Sequence, residues 1–145
     1  MGFANLDDLL AIENKIKWED RDLPSTLFGL LSRTAQSFPN RPAVSYQILS
    51  GPKDKAETLT WSELHKKTVQ AANMFRSLGV GSNDVVAYIL PNANETVLTL
   101  LGGAIAGIAN PINPLLDPEQ IGAILRETNA TVSYTHLTLP TKRIV

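Results

Sequence analysis

The sequence predicts an α/β fold in which helices flank a parallel sheet. Residues 58 to 131 alternate strand and helix, the order that builds a parallel sheet covered by helices. Val85 to Leu90 (VVAYIL) is a continuous apolar run, the pattern of a strand buried on both faces. Helix starts are also marked: Thr60 stands three residues before Glu63, and Asp117 three before Gln120.

The elements follow in order. Leu6, Leu9, Leu10, Ile12 and Ile16 recur at helical spacing, so residues 5 to 17 read as a short surface helix within an N-terminal extension spanning 1–23. Pro24 and Ser25 signal the next helix, whose face is Leu27, Leu30, Leu31, Thr34, Ala35 and Phe38. Pro39-Asn40 ends it. Ala43 to Leu49 and the stretch from Thr58, separated by SGPKDKAE, read as a β-hairpin.

From Thr60 a helix carries Leu64, Thr68, Ala71, Ala72, Phe75 and Leu78 on one face, and Gly79 sits where a left-handed C-cap belongs. After the VVAYIL strand, Asn92 and Glu95 form a further capping-box pair and predict a helix through Ala109. Asn110-Pro111-Ile112-Asn113-Pro114 reads as a rigid turn. Pro118 at a first helical position opens a helix to about Asn129, with another strand expected to begin near Ala130.

Composition narrows the function classes. The chain has 145 residues, with 43% apolar and 19% charged, enough for one modest domain with a core. Its net charge of −1 leaves no electrostatic footprint for nucleic acid. Cysteine is absent, which excludes disulfides and thiolate chemistry and fits a reducing, cytoplasmic location. The opening MGFANLDDLL lacks a secretory pattern, and Leu6 stands where myristoylation wants Ser or Thr. Asn94-Glu95-Thr96 and Asn129-Ala130-Thr131 match the glycosylation acceptor pattern by chance. The apolar run from Thr96 to Ala109 covers about 14 residues, short of the roughly 20 that cross a bilayer, so a soluble protein with no transmembrane segment is expected.

The sequence shows no active site. It contains no G-x-x-x-x-G-K-[ST], and Gly79-Val80-Gly81 follows a helix rather than a strand, with Asp84 where a third glycine would stand. His65 shares a helix with Glu63 and Lys66 and is expected to be solvated; His136 lies near the C-terminus. Asp7-Asp8 and Glu19-Asp20 read as solvated or capping carboxylates. Gly102 and Gly103 each cost about 1 kcal/mol within a helix, which either close packing or room for a ligand channel would explain. Catalytic, cofactor-binding and metal residues are therefore assigned as none.

Three segments resemble a known family. Leu59 to Leu64 (LTWSEL) is similar to the "L-T-Y-x-E-L" block of AMP-forming acyl-CoA synthetases, with Trp61 for the usual Tyr. Val85 to Glu95 (VVAYILPNANE) resembles the family's strand and "P-N" segment, and Leu101 to Pro114 (LGGAIAGIANPINP) its "G-A-x-x-A-G" to "N-P" segment. The resemblance covers most of residues 24 to 131. It implies a partial AMP-binding domain, the opening part of the N-terminal subdomain of the adenylate-forming fold. It also implies a ligase that uses ATP and Mg2+ to turn a small carboxylic acid into an acyl-adenylate, then CoA to form the thioester, as in fatty acid metabolism.

The family's phosphate loop, its acidic residues and its mobile C-terminal lysine lie downstream of the matched region. The chain is therefore expected to be truncated, inactive by itself and without bound cofactor, its chief missing partner the C-terminal remainder of its own chain. Within the superfamily the alternative is an adenylation domain loading a carrier protein; outside it, a stand-alone α/β binding module.

Residues 132–141 (VSYTHLTLPT) resemble one translated frame of a transposon-type sequencing adapter, so residues 132–145 are expected to be a non-native tail. A native strand is the rival, since Val, Tyr and Thr suit one. With that tail set aside the chain is a fragment, expected to expose an unpaired sheet edge and helix faces and to aggregate when alone.

Overall fold

The structure, a computed structural model, describes residues 5–49, 51 and 53–135. His136, the rest of the expected tail from 136 onward, and the Gly2 motif lie outside the described residues.

Helix α1 (Leu6–Glu13) is capped by Asn5, whose side chain accepts the Asp8 N–H, and it buries no residue. A 3-10 turn (Trp18–Asp20) leads to helix α2 (Leu27–Ser37). The cap of α2 is Thr26, one residue beyond the predicted Ser25: its hydroxyl accepts the Gly29 N–H at 3.0 Å. Strands β1 (Pro42–Tyr46) and β2 (Glu57–Thr60) pair antiparallel as the expected hairpin, with an irregularity between Pro42 and Val44.

Helix α3 (Trp61–Ser77) begins in the capping box read from the sequence. Thr60 Oγ1 accepts the Glu63 N–H, and the Glu63 carboxylate accepts the Thr60 N–H at 2.9 Å. Gly79 follows its end with φ of 92°, the left-handed conformation expected there. Strand β3 (Val85–Tyr88) is buried along its whole length.

Two expectations fail around helix α4 (Asn94–Ala106). Asn92 does not cap it: Ala93 occupies the cap position with no side-chain hydrogen bond. The Pro91 carbonyl is instead taken by the Thr96 hydroxyl, and Asn94 turns inward to bond the hairpin. Nor does the helix run to Ala109, because Gly107 ends it and Ile108–Pro111 forms strand β4 beside β3. The first two residues of the segment predicted as a turn, Asn110 and Pro111, thus belong to a strand. Pro111, which lacks an N–H, is tolerated because β4 lies at the sheet edge. A β-carbon on Gly107 would sit 2.6 Å from the Gly81 carbonyl oxygen and would also strike that of Asp84, so the chain turns there only without a side chain.

Helix α5 (Pro118–Glu127) has the predicted Asp117/Gln120 capping box, and strand β5 (Val132–Tyr134) then pairs parallel with β3. The parallel sheet has the order β4-β3-β5. The path from β3 to β4 runs one way across the sheet and that from β4 to β5 runs back. Right-handed crossovers therefore put α4 and α5 on opposite faces.

Phe75, Ala71 and Ala72 of α3, Ala106 of α4 and Val86 of β3 make the central core. Leu31, Leu59, Leu64 and Leu98 join α2 and the hairpin to it. Gly102 resolves the question of the helical glycines. A β-carbon there would lie 2.6 Å from that of Ala71, so the residue lets α4 lie directly on α3. Gly103 faces Val86 and Ala109 of the sheet at ordinary contact distance. Close packing, not a channel, explains Gly102, while Gly103 would accept a β-carbon at ordinary contact distance.

Candidate functional site at the carboxyl edge of the sheet

Open parallel sheets bind ligands beyond the carboxyl ends of their strands. Here that edge is formed by the ends of β3, β4 and β5 and the first turn of α4. Tyr88 and Tyr134 are register partners there, and both are buried, with Leu90 beside them. The Tyr134 ring meets Phe75 edge-on at 6.2 Å. Burial pushes both phenols above their ordinary pKa, and the charge of Glu95 adds to this at Tyr134.

Asn94 closes this corner. It is 2% exposed, its Nδ2 donates to the Glu57 carbonyl at 3.2 Å, and its Oδ1 has no hydrogen-bond partner. The side chain ties the start of α4 to strand β2. Glu95 adds an acidic residue to the first turn, which complements the helix dipole. Among the described residues no group of three or more His, Asp or Glu could hold a metal ion. What the edge can do is fix the sheet to the hairpin.

The residues singled out by sequence are scattered. His65 is not solvated: it is half-buried, its Nε2 lies 3.0 Å from Ser32 Oγ, and the Phe28 ring is 5.7 Å from its own. Among the described residues no carboxylate orients the other ring nitrogen, so the pair lacks the third member of a nucleophilic triad and serves to join α2 to α3. Asp7, Asp8, Glu19 and Asp20 are exposed, far from the sheet edge in sequence and in the first turns of their helices. Tyr134 and Asn94 are not among the sequence candidates. Tyr134 falls in the segment expected to be foreign, and Asn94 falls in what reads as a capping turn.

The three family-like segments also have their places. LTWSEL is the capping box that starts α3, VVAYILPNANE is buried strand and the entry to α4, and LGGAIAGIANPINP is the crossing of α4 on α3 followed by β4. Each repeats an architectural constraint, which is why they mark the fold without marking chemistry.

The sequence model of the AMP-binding enzymes matches residues 31–144. The chain belongs to this AMP-binding enzyme family. Marinolic acid–CoA ligase of Pseudoalteromonas sp. (strain SANK 73390) is 32% identical over 131 residues, covering 90% of this chain and 20% of that protein. Among solved structures, the anthranilate CoA ligase AuaEII in complex with anthranoyl-AMP superposes with a TM-score of 0.67. It is 26% identical, over 84% of this chain and 22% of that one. The fatty acid AMP ligase from Legionella pneumophila shares the fold at a TM-score of 0.68 and 18% identity, over 77% and 20% of the two chains.

The AMP-binding chain thus spans about a fifth of the length of the curated relatives it matches. Those relatives and structures bear out the adenylate-forming fold and the ligase family expected from the three segments. No helix among the described residues is long and apolar enough to cross a membrane.

Proposed function

We propose that this chain is the opening part of an ATP-dependent acid–thiol ligase. In that reaction a carboxylate oxygen attacks the α-phosphorus of ATP and pyrophosphate leaves. The thiol sulfur of CoA then attacks the acyl carbonyl and AMP leaves. The observation that carries the reading is the 32% identity to a CoA ligase over 90% of this chain. With it goes the proposal that phosphate binding, Mg2+ binding and catalysis belong to sequence beyond these 145 residues, so that the chain alone turns nothing over. A cytoplasmic location and a role with fatty or aromatic acids are proposed on the same footing.

The contribution proposed for this piece is mechanical. The α3–α4 layer and the β4-β3-β5 sheet form a rigid wall against which the nucleotide-handling part of the enzyme is built. The test is to read the source locus beyond codon 131, express the whole reading frame and measure AMP release. Release that requires both a carboxylic acid and CoA supports the proposal. Release that requires a carrier protein in place of CoA would shift it to an adenylation domain. Absence of any acid-dependent AMP overturns it.

A further inference from the structure

A groove runs along the outer side of α3 and α4. Its first part, about 450 Å3, lies between the start of α2 and the two longer helices and is lined by Leu27, Phe28, Val69, Asn73, Arg76 and Ile105 among others. Its second part, about 340 Å3, continues past Arg76 to Gly81, Ser82 and Gly107. Arg76, Ala104 and Ile105 line both parts, so Arg76 stands where the two meet. The first volume lies within the roughly 300–1,000 Å3 typical of small-molecule sites.

Arg76 has no acidic partner among the described residues, where the ion pair formed is that of Arg33 with Asp22. Its Nη2 donates to the Ile105 carbonyl at 3.4 Å, a long bond to a neutral acceptor. The acid nearest along the chain, Asp84, is engaged elsewhere: Oδ2 accepts the Gly81 N–H at 2.7 Å and Oδ1 the Thr131 hydroxyl at 3.3 Å. The guanidinium fork is thus left with a single carbonyl. Beside it the wall is hydrocarbon from Phe28, Val69 and Ile105. A fork of N–H donors matches a carboxylate in two parallel bonds, and an apolar wall matches an alkyl or aryl body. Arg76 is also the sole basic residue of either lining, which suits a monoanion better than a phosphate dianion.

We propose that this groove is a binding site for a small amphipathic carboxylate, held by its carboxylate on Arg76 and by its hydrocarbon body in the cleft between α2, α3 and α4. The site stands apart from the sheet edge and needs neither ATP nor CoA, so it survives or fails independently of the ligase reading.

The test is titration with sodium octanoate of the isotope-labelled protein expressed from the whole reading frame, read from the amide shifts of the groove residues. Octanoate should give saturable shifts at Val69, Asn73, Arg76 and Ile105. n-Octanol, without the charge, should bind about tenfold more weakly. Arg76→Met, at an exposed position, should weaken octanoate by about the same factor and leave octanol unchanged. Val69→Trp, which fills the cleft and keeps the arginine, should weaken both. Octanol binding as tightly as octanoate, wild-type octanoate affinity in Arg76→Met, or saturation of the same amides by inorganic phosphate would each overturn the proposal.

Discussion

Gly102 of α4 faces Ala71 of α3 so closely that a β-carbon on the glycine would lie 2.6 Å from the alanine methyl and 3.1 Å from the Ala72 nitrogen. Neither neighbour is the flexible end of a side chain, so added volume would have to part the helices. Alanine would gain about 1 kcal/mol of helix propensity at this position, against about 1–3 kcal/mol for overpacking a filled interface. Gly102→Ala should therefore lower stability by up to about 2 kcal/mol. Gly103→Ala, with its nearest neighbour at 3.4 Å, should be neutral or gain up to about 1 kcal/mol. Urea unfolding of the two variants checks the contrast. Equal behaviour would mean that the two helices cross less tightly than this.

Gly79 presents the opposite case: nothing lies within 4 Å of its would-be β-carbon, but its φ is 92°. Substitution there costs backbone strain alone. Gly79→Ala should destabilise by about 1–2 kcal/mol, and Gly79→Asn by less, since Asn tolerates the left-handed region. Thermal unfolding of both variants measures the difference.

Glu63 makes stability depend on acid. The Thr60 N–H and then its hydroxyl bond the carboxylate, and Lys67 adds a favourable charge. Together they hold the group below its ordinary pKa of 4.5 despite some desolvation. A depressed native pKa gives a contribution fully present above the ordinary value and lost as pH falls through the native one. Glu63→Gln should keep a capping side chain but lose this part of the acid limb. The check is stability followed downward from pH about 6, where wild type and variant should run parallel before the wild type falls faster.

What is legible in the sequence is what neighbours a few residues apart decide. Thr60 with Glu63, Asp117 with Gln120, and Gly79 after α3 are complete within one helical turn, and each stands where its spacing puts it. Strand β4 is different. Asn110-Pro111 has the local chemistry of a turn, and only the open flank of β3 makes Ile108–Pro111 a strand. The partner of His65 is Ser32, 33 residues earlier, a pairing that exists only once α2 and α3 are packed. Of the carboxyl edge, Asn94 is hidden because its neighbours resemble a cap, while its actual bond reaches back to Glu57.

Strand β5 bears on the chain's behaviour in solution. Shortened to residues 1–131, the chain would lose the Val86 to Tyr88 pairing with Val132 to Tyr134 and the packing of Tyr134 on Phe75, leaving β3 with an open edge. Helix α5, which buries no residue, would not cover it. The shortened chain should associate on size exclusion chromatography more than the full 145 residues do. A monodisperse, cooperatively melting 1–131 chain would show that β5 adds nothing to the sheet.

Thr68 of α3 and Thr99 of α4 are both fully buried, and neither hydroxyl has a hydrogen-bond partner. A buried hydroxyl left unpaired carries a desolvation penalty of about 1–3 kcal/mol. Valine keeps the branched shape and its χ1 preference while removing the polar atom. Thr68→Val and Thr99→Val should each raise stability, by about 1 kcal/mol once imperfect fit is allowed for. Chemical denaturation of the single and double variants tests this, the double also showing whether the two sites are coupled across the α3–α4 interface. A loss of stability in either single variant would show that its hydroxyl is bonded in solution.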